Sequence, residues 1–392
     1  MGRGPARRFR EVRGLWVVRW TMTSEEQVRQ MVDRAARAGF NTLLVQVRGR
    51  GDAFYRSELE PRAEALEGPP GFDPLELAIQ EAHARGMAVH AWINTHLVWG
   101  PAAPPQSPEH LVNAHPDWLA VPRGLADELY DMSPWDVRYV ARLRDWAAAR
   151  PETVEGLYTS PSHPEVRARV RAVWLDLLAR YDLDGLHLDY IRYPSPEFDY
   201  SRGALERFRA WAGGRVSPAE ARAADEAARS DPLAWTDAFP ELWDEHRREQ
   251  ITSLVRELYE EAKARRPEIV VSAAVVADPE SAYALRFQDW PVWLREGVLD
   301  VAVPMAYTPD DERFLTLVRT ARAVAGAGYR LWAGIGAYLD TLEGTLAKID
   351  LARSEQAGGV VVFSYDWAAG EGRGSEADPF LQRLGRARFQ PY

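Results

Sequence analysis

The sequence predicts a single (β/α)8 barrel, a ring of parallel strands enclosed by helices. Three observations carry that expectation. Short β-branched runs alternate with amphipathic helical segments, the pattern of successive βα units. The runs number eight, the count that a closed barrel requires. With 392 residues, 46% of them hydrophobic, the chain is also large enough to bury such a core.

In chain order, the predicted strands are Gly14 to Trp20, Thr42 to Arg48, Met87 to Asn94 and Gly185 to Tyr193. Ile269 to Asp278, Leu299 to Tyr307, Tyr329 to Tyr338 and Gly359 to Trp367 complete the set. The first predicted helix, Ser24 to Ala38, opens on a serine cap and stops at Gly39; the second, Pro74 to Arg85, stops at Gly86. Apolar residues at helical spacing then mark Pro164 to Tyr181, Leu242 to Arg265, Asp311 to Ala325 and Leu342 to Gln356. Residues 11–370 thus make the barrel, 1–10 a basic tail, and 371–392 a C-terminal helix and tail packing on it. Long insertions leave the third strand (Thr95 to His163) and the fourth (Pro194 to Pro240), on the side where barrel loops build active sites. They are expected to form cleft walls.

Composition excludes several functions. A formal charge of -10 disfavours a nucleic-acid partner, which needs clustered cations to displace counterions. The absence of cysteine removes disulfides, thiolate metal sites and cysteine nucleophiles. No window is apolar enough for a membrane span. The basic N-terminus is not followed by the apolar stretch of a secretory signal, so the sequence as written reads as cytoplasmic, or as envelope or extracellular if trimmed. Fifteen tryptophans and fifteen tyrosines serve mostly core packing, with some available to stack on sugar rings.

Alternation along a strand places residues i and i+2 on one face, so polar pairs near strand C-termini share the barrel mouth. Gln46 and Arg48 stand there on the second strand; His90, Trp92 and Asn94 on the third; His187 and Asp189, followed by Tyr190 and Arg192, on the fourth. Asp278 ends the fifth strand, and Ser364 and Asp366 end the eighth. Barrel interiors are normally filled by Val, Ile and Leu, so this polar concentration reads as a site.

Asp189 stands out because it ends an otherwise apolar strand, where a charge is costly without partners. It is either a structural ion pair or helix cap, with Arg192, Arg48 or His187 as neighbours, or a catalytic carboxylate. Glycoside cleavage needs one carboxylic acid to protonate the leaving oxygen and one carboxylate to attack or to activate water. Asp278 and Asp366 are the candidate second members, with Asp52 further out. A metal reading would join His187 and Asp189 to His90 or His96, but no His-x-His pair or His-Glu-x-x-His helix is present, and no metal or other cofactor is expected. Arg48-Gly49-Arg50-Gly51-Asp52 lacks both the dinucleotide fingerprint and the Walker lysine, which removes nucleotide chemistry.

Several segments run in an order that resembles a known family. They are Arg13-Gly14-Leu15-Trp16, Gly39-Phe40-Asn41-Thr42, Val45-Gln46-Val47-Arg48 with Gly51-Asp52-Ala53-Phe54-Tyr55, and Ala91-Trp92-Ile93-Asn94. Asp184-Gly185-Leu186-His187-Leu188-Asp189-Tyr190-Ile191-Arg192-Tyr193-Pro194, Arg247-Arg248, Gln288-Asp289-Trp290-Pro291-Val292-Trp293, Asp300 with Pro304-Met305-Ala306-Tyr307, and Gly334-Ile335-Gly336 follow. Together they resemble the glycosyl-hydrolase-like family 10, the former domain of unknown function 187.

The resemblance implies a barrel that binds a glycan in an open groove. One described member, a divisome-localised glycosyl hydrolase, cleaves peptidoglycan strands freed of peptides, which makes cell-wall glycan the leading substrate. It places Asp189 at the family's acidic position after the fourth strand, and Arg48, Asp52, Asn94, Arg248 and Tyr307 in the groove. Gly49 stands where many members have Pro, Thr95 follows Ile-Asn where Pro is usual, and Asp189-Tyr190 replaces a common Asp-Asp pair. The expected activity is hydrolysis of a β-linked amino-sugar polymer, with Asp189 as acid/base or nucleophile and Trp92, Tyr307 and Trp367 stacking on sugars. Two rivals stay open: a glycan-binding protein on a hydrolase fold, and a metal-dependent glycan deacetylase using His187 or His90.

Overall fold

The computed structural model describes residues 11–100, 104–326, 330–370 and 379–389. The basic tail at 1–10, the predicted strand start at Tyr329, and the stretches 371–378 and 390–392 lie outside the described residues. Eight strands close into a parallel barrel: β1 (Val12–Val17), β2 (Thr42–Arg48), β3 (Ala88–Asn94), β4 (Gly185–Asp189), β5 (Val270–Val276), β6 (Val301–Met305), β7 (Trp332–Gly336) and β8 (Gly359–Phe363). Each pairs with its sequence neighbours, and β8 returns to β1 with Val12 opposite Gly359 and Trp16 opposite Phe363. The fold class expected from the sequence is therefore observed.

The surrounding helices start and stop as local chemistry dictates. The helix α1 (Glu25–Arg37) is capped by Ser24, carries Glu25 and Glu26 against its N-terminal dipole and Arg34 and Arg37 in its last turn. Gly39, at φ +78°, then turns the chain toward β2. The next, α2 (Pro74–His83), is capped by Asp73 with Pro74 in its first turn. The rest of the ring comprises α3 (Pro164–Arg180), α4 (Pro240–Arg265), α5 (Trp290–Arg295), α6 (Asp311–Ala325), α7 (Leu342–Ser354) and α8 (Phe380–Arg388). The last of these packs between α1 and α7. No described helix is long and apolar enough to cross a membrane.

Two apolar cores result, one on each face of the closed sheet. Leu15, Leu43, Val45, Val89, Leu186 and Leu188 face outward and join Val28, Met31 and Val32 of α1 and Leu75 and Ile79 of α2. Trp16, Leu44, Trp92, Ala274, Val303, Trp332 and Val361 face inward. The interior holds such large rings because glycines stand opposite them. A Cβ on Gly334 would lie 3.0 Å from the Trp16 ring and 2.7 Å from the Pro304 carbonyl, and one on Gly185 would collide with the His90 ring.

Both insertions fold into helical layers with apolar clusters of their own. The first contains a two-stranded antiparallel ribbon (Leu97–Trp99 with Leu157–Tyr158) and buries Val98, Leu119, Leu129 and Leu143. The second gathers Leu205, Phe208, Trp235 and Trp243. An Arg123–Asp237 ion pair at 2.8 Å ties one insertion to the other.

Candidate active site

A cavity of about 540 Å³ occupies the C-terminal mouth of the barrel. Its walls come from the short segments that follow β1, β2, β4, β6 and β8, with Trp92 and Asn94 of β3 and Ala274 of β5 below. Among the described residues, neither long insertion lines it, because each packs on its own cluster and on the other. The expected cleft walls are therefore not the walls of this cavity.

Asp189 closes β4 and faces the cavity, while its carboxylate is largely buried. Oδ2 accepts from Trp92 Nε1 at 3.1 Å, and Oδ1 accepts from the Tyr190 amide at 2.7 Å and from Arg192 Nη1 at 3.2 Å. Burial raises its pKa and outweighs the opposing pull of Arg192 and these donors, so the protonated form is favoured more than in free aspartate. Tyr190 adopts a left-handed φ of +50°, a strained conformation for a bulky residue, held here at the floor of the site. The Arg192 guanidinium lies 4.3 Å over the Tyr190 ring.

Asp366 belongs to the short helix Tyr365–Ala368 rather than to β8, and it lines the same cavity. Val18 N donates to its Oδ2 at 2.6 Å and Thr21 Oγ1 donates to its Oδ1 at 2.5 Å. Burial raises its pKa as well. With β4 and β8 four places apart in an eight-strand ring, Asp189 and Asp366 flank the mouth from opposite sides.

The other expected site residues divide between the cavity and its supports. Trp92, Asn94, Tyr190, Arg192, Tyr307 and Trp367 line the cavity. Trp92 is nearly enclosed and pinned to Asp189, so little of its ring is open to a ligand. The Tyr307 hydroxyl has its pKa pushed well up by burial and the Asp189 charge.

Arg48 lies behind the wall: it donates to the carbonyls of Asn94 (2.5 Å) and Thr95 (3.1 Å) and pairs with buried Glu60 at 3.3 Å. Asp52 accepts from the Arg50 amide at 2.9 Å and does not line the cavity. Asp278 caps the helix Pro279–Arg286, accepting from Ser281 Oγ at 2.5 Å, and is likewise outside the cavity. Arg248 of α4 stacks on Tyr283 at 4.0 Å, away from the mouth.

His187 sits one layer below. Trp16 Nε1 donates to its Nε2 at 3.2 Å, which leaves Nδ1 protonated and donating to Ser272 Oγ at 2.9 Å. Burial holds its pKa well below the usual value, so both nitrogens of a neutral ring are engaged. Among the described residues there is no cluster of three or more His, Asp or Glu suited to a metal ion.

Arg19, Trp20, Arg50, Met305 and Phe363, not proposed as site residues from the sequence, complete the site together with Gln46 and Asn94, which the sequence placed at the mouth. Arg19 stacks 3.8 Å over Trp20, which is 57% exposed, and donates from Nη1 to Gln46 Oε1 at 3.1 Å. Gln46 in turn donates to Asn94 Oδ1 at 3.2 Å, and Asn94 donates to the Gly49 carbonyl at 2.9 Å. This chain of bonds fixes the rim above β1, β2 and β3. Arg50, Met305 and Phe363 also line the cavity.

Residues 11–325 match a model of the family described as glycosyl hydrolase-like 10. The chain is 28% identical over 344 residues to glycosyl hydrolase DigH of Escherichia coli (strain K12), covering 81% of this chain and 67% of that protein. It is 24% identical over 331 residues to glycosyl hydrolase YngK of Bacillus subtilis (strain 168), covering 76% of this chain and 54% of the relative. The chain thus spans about two thirds and about half of these relatives' lengths. Among solved structures, it is similar to the PgaB (BpsB) glycoside hydrolase domain from Bordetella bronchiseptica, with a TM-score of 0.66 at 15% identity, covering 98% of this chain and all of that one. At that identity the likeness concerns the fold alone.

Proposed function

The chain belongs to the glycosyl hydrolase-like 10 family, and from that premise we propose that it hydrolyses glycosidic bonds of a polysaccharide, with peptide-free peptidoglycan strands or a similar β-linked amino-sugar polymer as substrate. The observation that carries the reading is Asp189: a buried carboxyl with a raised pKa, set in a mouth lined by aromatic rings. A carboxylic acid of that kind can donate its proton to the leaving oxygen as the C1–O bond breaks. Asp366, across the mouth, is the partner: it accepts a proton from the water that adds to C1, or bonds to C1 itself before water releases the sugar. The short hydrogen bonds from Val18 and Thr21 fix its orientation for either role.

The test is incubation of wild type and Asp189→Asn with peptide-free glycan strands, chitin and intact peptidoglycan, with products separated by mass. Shorter strands from the wild type alone support the assignment, and undiminished cleavage by the variant overturns it. One observation favours a second reading, a glycan-binding protein that does not cleave: Asp278 is committed to a helix cap, and both Asp366 oxygens already accept hydrogen bonds. Strands bound but left intact by the wild type would establish it.

A further inference from the structure

The mouth cavity carries more positive charge than the acid chemistry needs. Of the three arginines lining it, Arg192 is paired with Asp189 at 3.2 Å. Among the described residues, Arg19 and Arg50 make no ion pair within 4.0 Å, although the chain as a whole has a net charge of -10. Asp366 and Asp52 stand nearby, but their hydrogen bonds go to Val18, Thr21 and the Arg50 amide. A nearly buried guanidinium without a counter-ion is costly unless something completes it.

The seat of Arg19 is built rather than incidental. Its guanidinium is clamped between the Trp20 ring and Gln46. Its aliphatic stem runs over Gly49, where a Cβ would lie only 2.5 Å from Arg19 Cδ. Any larger residue at 49 would force the stem to move. Arg50 lines the same cavity, and its guanidinium makes one weak bond, 3.3 Å to the Gly49 carbonyl. Burial and the Arg50 charge together pull the Arg19 pKa down to about 10. Asp52 and Asp366 oppose that shift from nearby without forming an ion pair with Arg19. Arg19 and Arg50 both lie against Gly49 and line one cavity, so an anion arriving between them offsets both charges.

We propose that Arg19 and Arg50 form a carboxylate-binding subsite within the mouth, so that the glycan this chain takes bears an acidic group on a ring seated against Trp20. The inference rests on the glycan reading above and sharpens it: the ligand is an acidic sugar polymer rather than a neutral one. Guanidinium forks match the planar carboxylate, and Trp20 offers an apolar face beside them for the ring that carries it.

Calorimetry tests this with three oligosaccharides of equal length: peptide-free peptidoglycan fragments bearing the lactyl carboxylate, the same fragments with that group reduced to an alcohol, and a sulfated glycan. Binding is measured to Asp189→Asn, which keeps the ligands intact, and to the same protein carrying Arg50→Gln. Melting curves check that each variant is folded. The expected result is about tenfold tighter binding of the acid than of the alcohol, a preference that shrinks with added salt and is lost in Arg50→Gln while affinity for the alcohol stays level. Equal affinity for acid and alcohol, equal loss of both in Arg50→Gln, or no binding at all overturns the subsite. Tighter binding of the sulfated glycan overturns the carboxylate assignment. An acid preference in a wild type that cleaves nothing leaves the subsite standing and removes the hydrolase reading.

Discussion

Replacing Arg48 by methionine strips a buried carboxylate of its counter-charge while nearly preserving side-chain length. The Arg48 and Glu60 side chains are 2% and 1% exposed and lie 3.3 Å apart, so solvent can replace neither. Breaking such a pair from one side costs about 3–5 kcal/mol, because the remaining charge stays buried and alone. The carbonyls of Asn94 and Thr95 lose their donor as well, worth about 1–3 kcal/mol, although the two losses overlap in one network. Glu60 recovers part of this by taking up a proton, since burial already raises its pKa above the usual 4.5. A group with a folded pKa above its unfolded value contributes stability that is full below the unfolded pKa and lost as pH rises through the folded one. The expected deficit is therefore about 3–5 kcal/mol near pH 7, and it narrows as pH falls through the raised Glu60 pKa and the carboxyl becomes neutral. Urea unfolding followed by tryptophan fluorescence measures it. Arg48→Met combined with Glu60→Leu recovers at least half of the loss, because a neutral pair leaves no orphan charge. A single-variant deficit under about 1 kcal/mol, or a double variant no more stable than the single, refutes the reasoning.

Three further outcomes are expected. The kcat/KM of glycan cleavage falls as pH rises through the folded pKa of Asp189, which burial holds above the usual 3.8; a rate that climbs steadily into alkali would remove Asp189 as the proton donor. Gly185→Ala drives a methyl into the His90 ring and destabilises the barrel by about 1–3 kcal/mol; an unchanged melting temperature would show that the interior yields more readily than its packing implies. Chelation with EDTA followed by desalting leaves cleavage unchanged, because both His187 nitrogens are already occupied by Trp16 and Ser272; activity lost and then restored by zinc would return the metal reading.

The barrel was legible because β-branched runs and helical periodicity repeat eight times, and each repeat is a local signal. Strand ends were less so. The fourth and eighth strands stop earlier than expected, at Asp189 and Phe363, because Tyr190 turns into the left-handed region and Ser364 caps a short helix. Asp189 and Asp366 still reach the mouth, the second through that helix rather than by strand alternation. Alternation also suggested Arg48 beside Gln46, but the β2–β3 register shifts between them and Arg48 goes to Glu60. The place of Asp278 was readable: Asp-Pro at the end of an apolar run is a helix-start signal as much as a strand end. Arg19 and Trp20 were expected at the end of the first strand, but β1 stops at Val17 and they open a 3-10 helix instead; their meeting with Arg50 depends on Gly49, whose role appears only in three dimensions.

Joining β8 to β1 has a consequence for how the chain reaches this state. The bond from the Val18 amide to Asp366 spans 348 residues of sequence, and the β1–β8 ladder is of the same order. Closure must therefore come late in folding, after a slow search for long-range partners. Until then β1 and β8 each present an open strand edge, the kind of surface on which other incomplete copies can add. Refolding yield will accordingly fall with protein concentration. The time spent as an open sheet thus enters the yield of the intact barrel alongside the stability of the closed one.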